Sequence, residues 1–362
     1  MRLLKPLIFA LVCVGSLSAF TFFDYSISER EGLKGMASPL CMDRAQLQKW
    51  DRVVQCEAEK AELPYFIYER IYTYLYVAQN DAATLIGNAK GAYAGSFDPV
   101  SYEVIKVFFP DAKQPNCYVS DLMSEAVAEM VVAKVKARVE EEKKRSPAWK
   151  CPKKYKKTYT EGLNIAKWKP WFIKSPKEYW PPAPPKKKDP VWEKQLDEIR
   201  KAQCPMTTQK LQAINWWARN SGFDSGDWRA IANGTLFCGN YSLCEILRVR
   251  SILNVALYDG LIVCLGAKYH YMVDRPQMRD PKICYVIPSP AHPSYPAGHS
   301  VEAGVGKTVL TALLPQEACR WQRLAYESGI SRIWAGIHYP IDDTAGDESG
   351  KQVAEAVLEA TR

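Results

Sequence analysis

The side chains best suited to chemistry lie in the last hundred residues of the chain. Lys268 is followed seven residues later by Arg275, and Arg332 supplies a third cation. Two histidines, His299 and His338, lie in the same region. Fixed cations hold the oxygens of an anion, and imidazole can attack or transfer a proton near neutral pH. These residue types are suited to binding and attacking a tetrahedral oxyanion.

Spacing adds detail to this site. Lys268 and Arg275 are two helical turns apart, so we expect them to project from one face of a helix that Pro276 ends. Gly298 begins a stretch with helical periodicity, where free amides and the helix dipole favour an anion. Asp342 follows His338 by four residues and can fix the tautomer of its ring.

The elements that position these residues are predicted to be helices. Strand signals are scarce, and the apolar residues recur at helical spacing in six long stretches. These stretches are Asp43 to Leu63, Pro64 to Lys90, Ser120 to Lys144, Gln209 to Asn220, Tyr241 to Tyr271 and His299 to Leu314. The fold is predicted to be all-α. The apolar run from Ser251 to Gly266 contains polar residues and is predicted to be a buried core helix.

A weak internal repeat suggests two related helical bundles. A shift of 178 residues places Leu75–Tyr93 on Leu253–Tyr271 without a gap, and Asp81 then meets Asp259. The first half contains no histidine, so the chemistry is predicted in the second. The predicted divisions are a signal peptide or N-terminal anchor (1–23), a degenerate first bundle (35–145), a basic crossover rich in Pro and Trp (146–195) and a catalytic bundle (196–362).

The N-terminus has the pattern of an export signal. Arg2 and Lys5 precede an apolar stretch, and small residues follow at 16–19. We expect an exported protein, periplasmic or secreted, with an uncleaved anchor as the alternative. Cysteines in an exported chain permit disulfides, and Cys238–Cys244, Cys151–Cys204 and Cys41–Cys56 are candidate pairs.

Positive charge is concentrated between the two halves. Residues 143–188 contain 15 Lys or Arg against two acidic residues, whereas the whole chain has a net charge of +8. A solvated crossover whose aromatic residues pack on the bundles is the favoured interpretation. Contact with an anionic membrane surface is the alternative. Nucleic acid is not expected as a partner, because no nucleic-acid-binding module is recognised.

The order of the chemical motifs resembles a known signature. Lys268 with Arg275-Pro276, the string Pro296-Ala297-Gly298-His299, and Arg332 with His338 resemble the superfamily of type 2 phosphatidic acid phosphatases and vanadium haloperoxidases. The resemblance covers roughly Gly222 to the C-terminus. It implies phosphate binding by Lys268, Arg275, Arg332, Gly298 and Ala297. It further implies that His338 is the nucleophile, that His299 is the general acid and that Asp342 orients His338.

Three positions bear on which activity the resemblance implies. The family usually has Ser where this chain has Ala297, and Ser294 or Ser300 could replace that hydroxyl only in part. Some haloperoxidases resemble this chain in carrying His at the position of His292, which implies a halide-binding or secondary role. Leu265 stands where haloperoxidases tend to have Trp, which favours a phosphatase.

Three functions therefore remain open. The first is an acid phosphatase-like hydrolase that cleaves phosphomonoesters of small molecules or lipids through a phosphohistidine, without metal or other cofactor. The second is a vanadium-dependent haloperoxidase with vanadate in the phosphate position. The third is a non-catalytic protein that binds anions or lipids. The acidic residues Asp342, Asp343, Asp347 and Glu348 are better explained by capping at a helix N-terminus than by a metal site.

Overall fold

The computed structural model describes residues 20–31, 33, 42–90, 95–218 and 226–362, and its regular secondary structure is helical, without a strand in these ranges. The helices are α1 (Ile27–Glu31), α2 (Arg44–Lys60), α3 (Tyr65–Lys90), α4 (Asp98–Phe108), α5 (Leu122–Lys144), α6 (Val191–Gln203), α7 (Thr208–Trp217), α8 (Trp228–Cys238), α9 (Leu243–Tyr271), α10 (Pro276–Arg279), α11 (Gly298–Leu313), α12 (Ala318–Trp334) and α13 (Pro340–Ala360). The predicted all-α fold is confirmed, and each of the six predicted helices is present within a few residues.

Side-chain caps determine where many helices begin. A polar side chain just before the first turn accepts a hydrogen bond from a free backbone amide of that turn. The capping residues are Asp43, Asp121, Thr207, Asp227 and Ser242. At Ser242 the cap is a complete capping box, because Glu245 bonds back to the Ser242 amide.

Helices α3 and α9 are the central helices of the two halves, and they pack against each other. Helix α9 is buried on all sides along most of its length, as expected for a helix that is apolar all round. Within the described ranges, Leu243–Arg279 is the one helical stretch long and apolar enough to cross a membrane, and its most apolar window is completely buried. This confirms the predicted core helix.

The internal repeat is visible as a shared contact. Asp81 in α3 accepts hydrogen bonds from the Phe22 and Phe23 amides, at 2.8 and 3.0 Å. Asp259 in α9 accepts them from the Trp171 and Phe172 amides, at 2.7 and 3.0 Å. Burial raises the pKa of both carboxyl groups, to about 7 and about 6, and the amide hydrogen bonds oppose this rise. Each central helix therefore holds an aromatic segment through a buried aspartate at the equivalent position.

The packing of α11 on α13 depends on glycines. A Cβ atom at Gly304 would collide with the Asp347 carbonyl, and one at Gly350 would collide with the Val301 carbonyl. The two helix backbones therefore approach more closely than any larger residue would allow. This contact brings together the two helices that begin at the predicted site.

The basic crossover covers α9 with its aromatic residues. Trp168 stacks on Tyr258, with ring centroids 4.9 Å apart, and Trp180 lies over Gly266. Gly162 has a φ of 76° and lies against Leu265, where a side chain would clash. The crossover is thus fixed to the second bundle.

Several predictions concern residues that the structure does not describe. Of the predicted signal or anchor, only Phe20–Phe23 are described, and Asn80 and Asp81 bond to this segment. Cys41, Tyr93 and Gly222 lie outside the described residues, as does the side chain of Lys90. The nine described cysteines are free thiols, so Cys238–Cys244 and Cys151–Cys204 do not form disulfides.

Candidate active site

The predicted site residues surround one cavity of about 850 Å³. Those that line it are Lys268, His292, Gly298, His299, Arg332 and His338. Arg275 and Asp342 are buried and contact His338 from outside the lining. Residues that are up to 74 positions apart in the sequence are therefore brought together.

Lys268 is fully buried in the last turn of α9. Its Nζ donates to the carbonyl oxygens of Pro293 and Ser294, at 2.9 and 2.7 Å. Burial and the neighbouring Arg275 lower the pKa of Lys268, from its usual range to about 7. An anion bound beside Lys268 would stabilise the charged form of its ammonium group.

The predicted helical pairing of Lys268 with Arg275 is wrong. Helix α9 ends at Tyr271, and Met272 follows in a left-handed conformation with a φ of 52°. Arg275 lies beyond this turn as the N-cap of α10, and Pro276 begins that helix rather than ending α9. Arg275 reaches the site from beyond the left-handed residue Met272, which the spacing of seven residues did not reveal.

Arg275 links His338 and His292 through its guanidinium. Its Nη1 donates to His338 Nε2 at 3.0 Å and to the Ile337 carbonyl at 2.7 Å. Its Nη2 lies 3.2 Å from His292 Nδ1, and its Nε donates to the His292 carbonyl. Because guanidinium can only donate, His338 Nε2 must carry a lone pair.

Asp342 fixes the other nitrogen of His338. His338 Nδ1 lies 2.8 Å from Asp342 Oδ2 and therefore carries the proton. Burial, followed by the nearby Arg275 and Lys268 charges, lowers the pKa of His338 well below its usual range. The ring is neutral, with its basic nitrogen Nε2 opposite a cation.

Asp342 also has a structural role at the start of α13. Its Oδ2 accepts from the Ser294 hydroxyl at 2.5 Å and from the Tyr339 amide at 3.1 Å. Burial raises the pKa of Asp342, and the Ser294 hydrogen bond opposes this rise. Pro340 is the first residue of α13 and His338 precedes it, so His338 and Asp342 are not a pair within one helix.

Neither candidate serine replaces the hydroxyl missing at Ala297. Ser294 is directed at Asp342, and the Ser300 hydroxyl donates to Asp343 at 2.5 Å. Ala297 is the N-cap of α11, and its amide donates to the Asp342 carbonyl at 2.9 Å. Gly298 is the first residue of α11, and its amide belongs to the helix N-terminus, where an anion is favoured.

The C-terminal end of α7 contacts two further site residues. His299 Nε2 lies 2.7 Å from the Trp217 carbonyl, and Arg332 Nη2 donates to the Ile214 carbonyl at 2.6 Å. The last carbonyls of a helix have no intrahelical donor and carry partial negative charge. They hold the imidazole and the guanidinium at the cavity.

The site combines three buried cations, Lys268, Arg275 and Arg332, with the histidines His292, His299 and His338. The carboxylate of Asp342 bonds to His338, Ser294 and Tyr339, and Glu161 and Glu302 also line the cavity. Burial and neighbouring positive charge lower the pKa values of Lys268, His292 and His338. The electrostatics around these three side chains therefore favour an anion in the cavity.

Comparison with known proteins identifies the fold. A family model described as the VCPO second helical-bundle domain matches residues 314–362. The structure is similar to the first bacterial vanadium-dependent iodoperoxidase over 90% of this chain and 98% of that one, with a TM-score of 0.68 and 17% identity. The fold is that of the vanadium haloperoxidases. The resemblance predicted from the motifs is confirmed at this level.

A second similar structure is a holo-type bacterial vanadium-dependent chloroperoxidase. It covers 82% of this chain and 91% of that one, with a TM-score of 0.59 and 11% identity. No curated protein matches the chain. At such low identities the similarity shows the haloperoxidase-like fold and does not distinguish one activity from another.

His292 and His270 occupy different environments within this fold. His292 is buried at the cavity, 6.3 Å from the Phe66 ring, and its pKa is lowered by burial and then by Lys268 and Arg275. His270 is exposed, packs on Trp180 and does not line the cavity. Asp347 pairs with Lys307, and the described residues hold no cluster suited to a metal ion.

The sequence did not reveal two walls of the cavity. One consists of Pro64–Ile67, at the start of α3 in the first bundle, and the other of Thr160–Asn164 in the crossover. Neither segment contains a residue pattern with recognisable chemistry. Gly162 was the sequence feature that could have indicated the crossover wall, because glycine readily adopts the left-handed φ with which the crossover lies against Leu265.

Proposed function

We propose that this protein hydrolyses phosphomonoesters, with His338 as the nucleophile. The observation that carries the proposal is the state of His338, which is neutral, has its proton fixed on Nδ1 by Asp342, and presents Nε2 beside buried cations. A nitrogen lone pair in a cavity that favours an anion is suited to attack on phosphorus.

In the first step, the hydrogen bond from Arg275 Nη1 to His338 Nε2 breaks, Nε2 forms a bond to phosphorus, and the bond from phosphorus to the ester oxygen breaks. Lys268, Arg275 and Arg332 neutralise charge on the phosphoryl oxygens, and the Gly298 amide adds a hydrogen bond. Asp342 stabilises the positive charge that develops on the His338 ring. In the second step, water attacks phosphorus, releases phosphate and returns the electron pair to Nε2.

His299 is proposed as the proton donor to the leaving oxygen. The Trp217 carbonyl, 2.7 Å from Nε2, stabilises a protonated ring by accepting its Nε2–H. The second ring proton is then the one transferred to the leaving alcohol. In the second step, the same nitrogen takes a proton from the attacking water, so the proton balance closes.

The substrate is proposed to be a phosphorylated small molecule or a lipid phosphate. The cavity volume of about 850 Å³ exceeds what a phosphate ion needs and leaves space for an organic group. We also propose that the protein is exported, because its first residues have the charge and apolar pattern of a signal sequence.

The second candidate is a vanadium-dependent peroxidase. The similarity to an iodoperoxidase over 98% of that chain and the position of His292 beside Arg275 favour it. The residues fit vanadate, because His338 Nε2 would ligate the metal and the three cations would hold its oxygens. Bound vanadate would supply a Lewis acid that activates peroxide toward a halide.

The deciding experiment measures phosphate release from p-nitrophenyl phosphate by wild type, His338→Ala and His270→Ala. His270 is a matched control because it lies outside the cavity. The proposal predicts release that vanishes in His338→Ala, persists in His270→Ala and is inhibited by vanadate. Absence of release, together with iodide or bromide oxidation by vanadate-loaded protein and peroxide, would establish the second candidate.

A further inference from the structure

Lysines from two parts of the crossover form one exposed surface. The first group is Lys153, Lys154, Lys156 and Lys157, and the second is Lys186, Lys187 and Lys188. All seven are exposed, and Lys187 is the one that pairs with a described carboxylate, Asp274, at 2.9 Å. The remaining six positive charges point into solvent without a counterion from the described part of the chain.

Helix α10 joins the two groups. Met278 Sδ lies 3.5 Å from the Tyr159 hydroxyl, two residues after the first group. On the next residue, Arg279 Nη1 donates to the Lys187 carbonyl at 2.9 Å. The pKa of Lys187 is raised first by Asp274 and, more weakly, by Tyr155 of the first group. Lysines about 30 residues apart in the sequence therefore flank the same short helix.

The centre of this surface is apolar. Met278 is 50% exposed, and Tyr155 is partly exposed, with its ring 4.7 Å from Lys154 Nζ. The acidic residues beside α10 already have partners, since Asp274 pairs with Lys187 and Asp280 with Arg200. The surface therefore presents positive charge around an exposed methionine.

We propose that this basic face docks on an anionic lipid bilayer. Lysines would lie at the headgroups, while Met278 and Tyr155 would reach the interface between headgroups and acyl chains. A soluble polyanion would use the lysines equally well but would give no role to an exposed methionine among them. Helix α10 begins at Pro276, directly after Arg275, whose guanidinium bonds to His338 at the oxyanion cavity. Docking is independent of which reaction the cavity performs.

The test is co-sedimentation of the full chain with vesicles of phosphatidylglycerol and phosphatidylcholine, compared with vesicles of phosphatidylcholine alone. The proposal predicts binding to the anionic vesicles that weakens as salt is added. Each lysine near an anionic surface contributes about five-fold to affinity. The variant K153E/K154E/K156E/K157E should therefore bind at least roughly 100-fold more weakly.

The matched control changes the same number of charges at exposed lysines elsewhere: K113E/K136E/K194E/K201E. It should retain most of the binding, and Met278→Ser should weaken binding at high salt. Thermal denaturation verifies that each variant is folded, and the milder K153Q/K154Q/K156Q/K157Q should give an intermediate loss. Equal loss in the control, or binding to heparin without binding to anionic vesicles, would overturn the proposal.

Discussion

Affinity for a tetrahedral dianion should fall steeply as the pH rises above 7, because Lys268 loses its proton. Lys268 is fully buried, and burial together with Arg275 lowers its pKa to about 7 in the free protein. A dianion in the cavity stabilises the charged ammonium and raises this pKa. Binding is therefore coupled to uptake of one proton at pH values between the two pKa values.

The expected magnitude follows from this coupling. Below pH 7, Lys268 is already charged, and the dissociation constant should be nearly constant. Above pH 7, the constant should rise about ten-fold per pH unit, which amounts to about 50-fold between pH 7 and pH 9. This is a loss of about 2 kcal/mol of binding free energy. His338 is neutral across this range, since its pKa is lowered, and burial raises the pKa of Cys264 to about 11.

Tungstate is a suitable probe, because it is a tetrahedral dianion throughout this range and its own protonation does not interfere. Isothermal titration calorimetry in buffers of different ionisation enthalpy would report both affinity and proton uptake. Lys268→Arg should bind tungstate with little dependence on pH, since guanidinium stays charged. Lys268→Met should bind weakly at every pH, without proton uptake.

A flat wild-type affinity between pH 6 and pH 9 would refute the reasoning. So would a decrease of the same slope in Lys268→Met, because another group would then be responsible. The comparison does not depend on turnover, so it tests the electrostatics of the cavity separately from the proposed reaction.

Three further predictions concern individual residues. Asp342→Asn should lower the turnover number for phosphate release about 10²- to 10⁴-fold with a smaller change in KM, because the proton of His338 is no longer held on Nδ1. Steady-state kinetics measures both constants, and an unchanged turnover number would contradict the prediction. Ala297→Ser should raise the melting temperature through an N-cap worth about 1 kcal/mol and should tighten tungstate binding. A lower melting temperature together with weaker tungstate binding would mean that the hydroxyl does not fit at this position. Gly350→Ala should lower the free energy of unfolding in urea by about 1–3 kcal/mol, because the methyl group collides with the Val301 carbonyl. An unchanged free energy of unfolding would show that α11 and α13 separate easily.

The fold was predictable where the local sequence pattern is enough to identify a helix. Long apolar stretches with helical spacing placed α3, α5, α9 and α11 within a few residues, because periodicity and caps are properties of the nearby sequence. Shorter helices such as α4 and α6 were not assigned. Their apolar faces are short, and packing against neighbouring helices contributes most of their stability.

The residues of the site were predictable by type, whereas their positions relative to one another were not. Lys268 and Arg275 were expected on one helix, yet a left-handed turn at Met272 separates them. The cavity wall from Pro64 to Ile67 lies about 200 residues earlier in the chain than Lys268. Such contacts depend on how α3 packs on α9, and no local pattern encodes that packing.

A comparison of the two halves distinguishes the residues that the helical bundle needs from the residues that the site needs. Asp81 and Asp259 occupy equivalent positions and make the same contact, each accepting backbone amides from an aromatic segment. That contact therefore belongs to the bundle itself. The three cations and the histidines of the cavity are confined to the second half, where α11 and α13 begin side by side.

Asp342 is the residue at which architecture and chemistry meet. Its carbonyl accepts the Ala297 amide at the start of α11, and its side chain accepts the Tyr339 amide at the start of α13. The same side chain fixes the proton of His338. Close packing of the two helices thus sets the orientation of the His338 ring. Because this orientation suits attack on phosphorus and ligation of vanadium equally, the difference between the two reactions must arise from the groups that surround the oxyanion, above all Ala297 and His292.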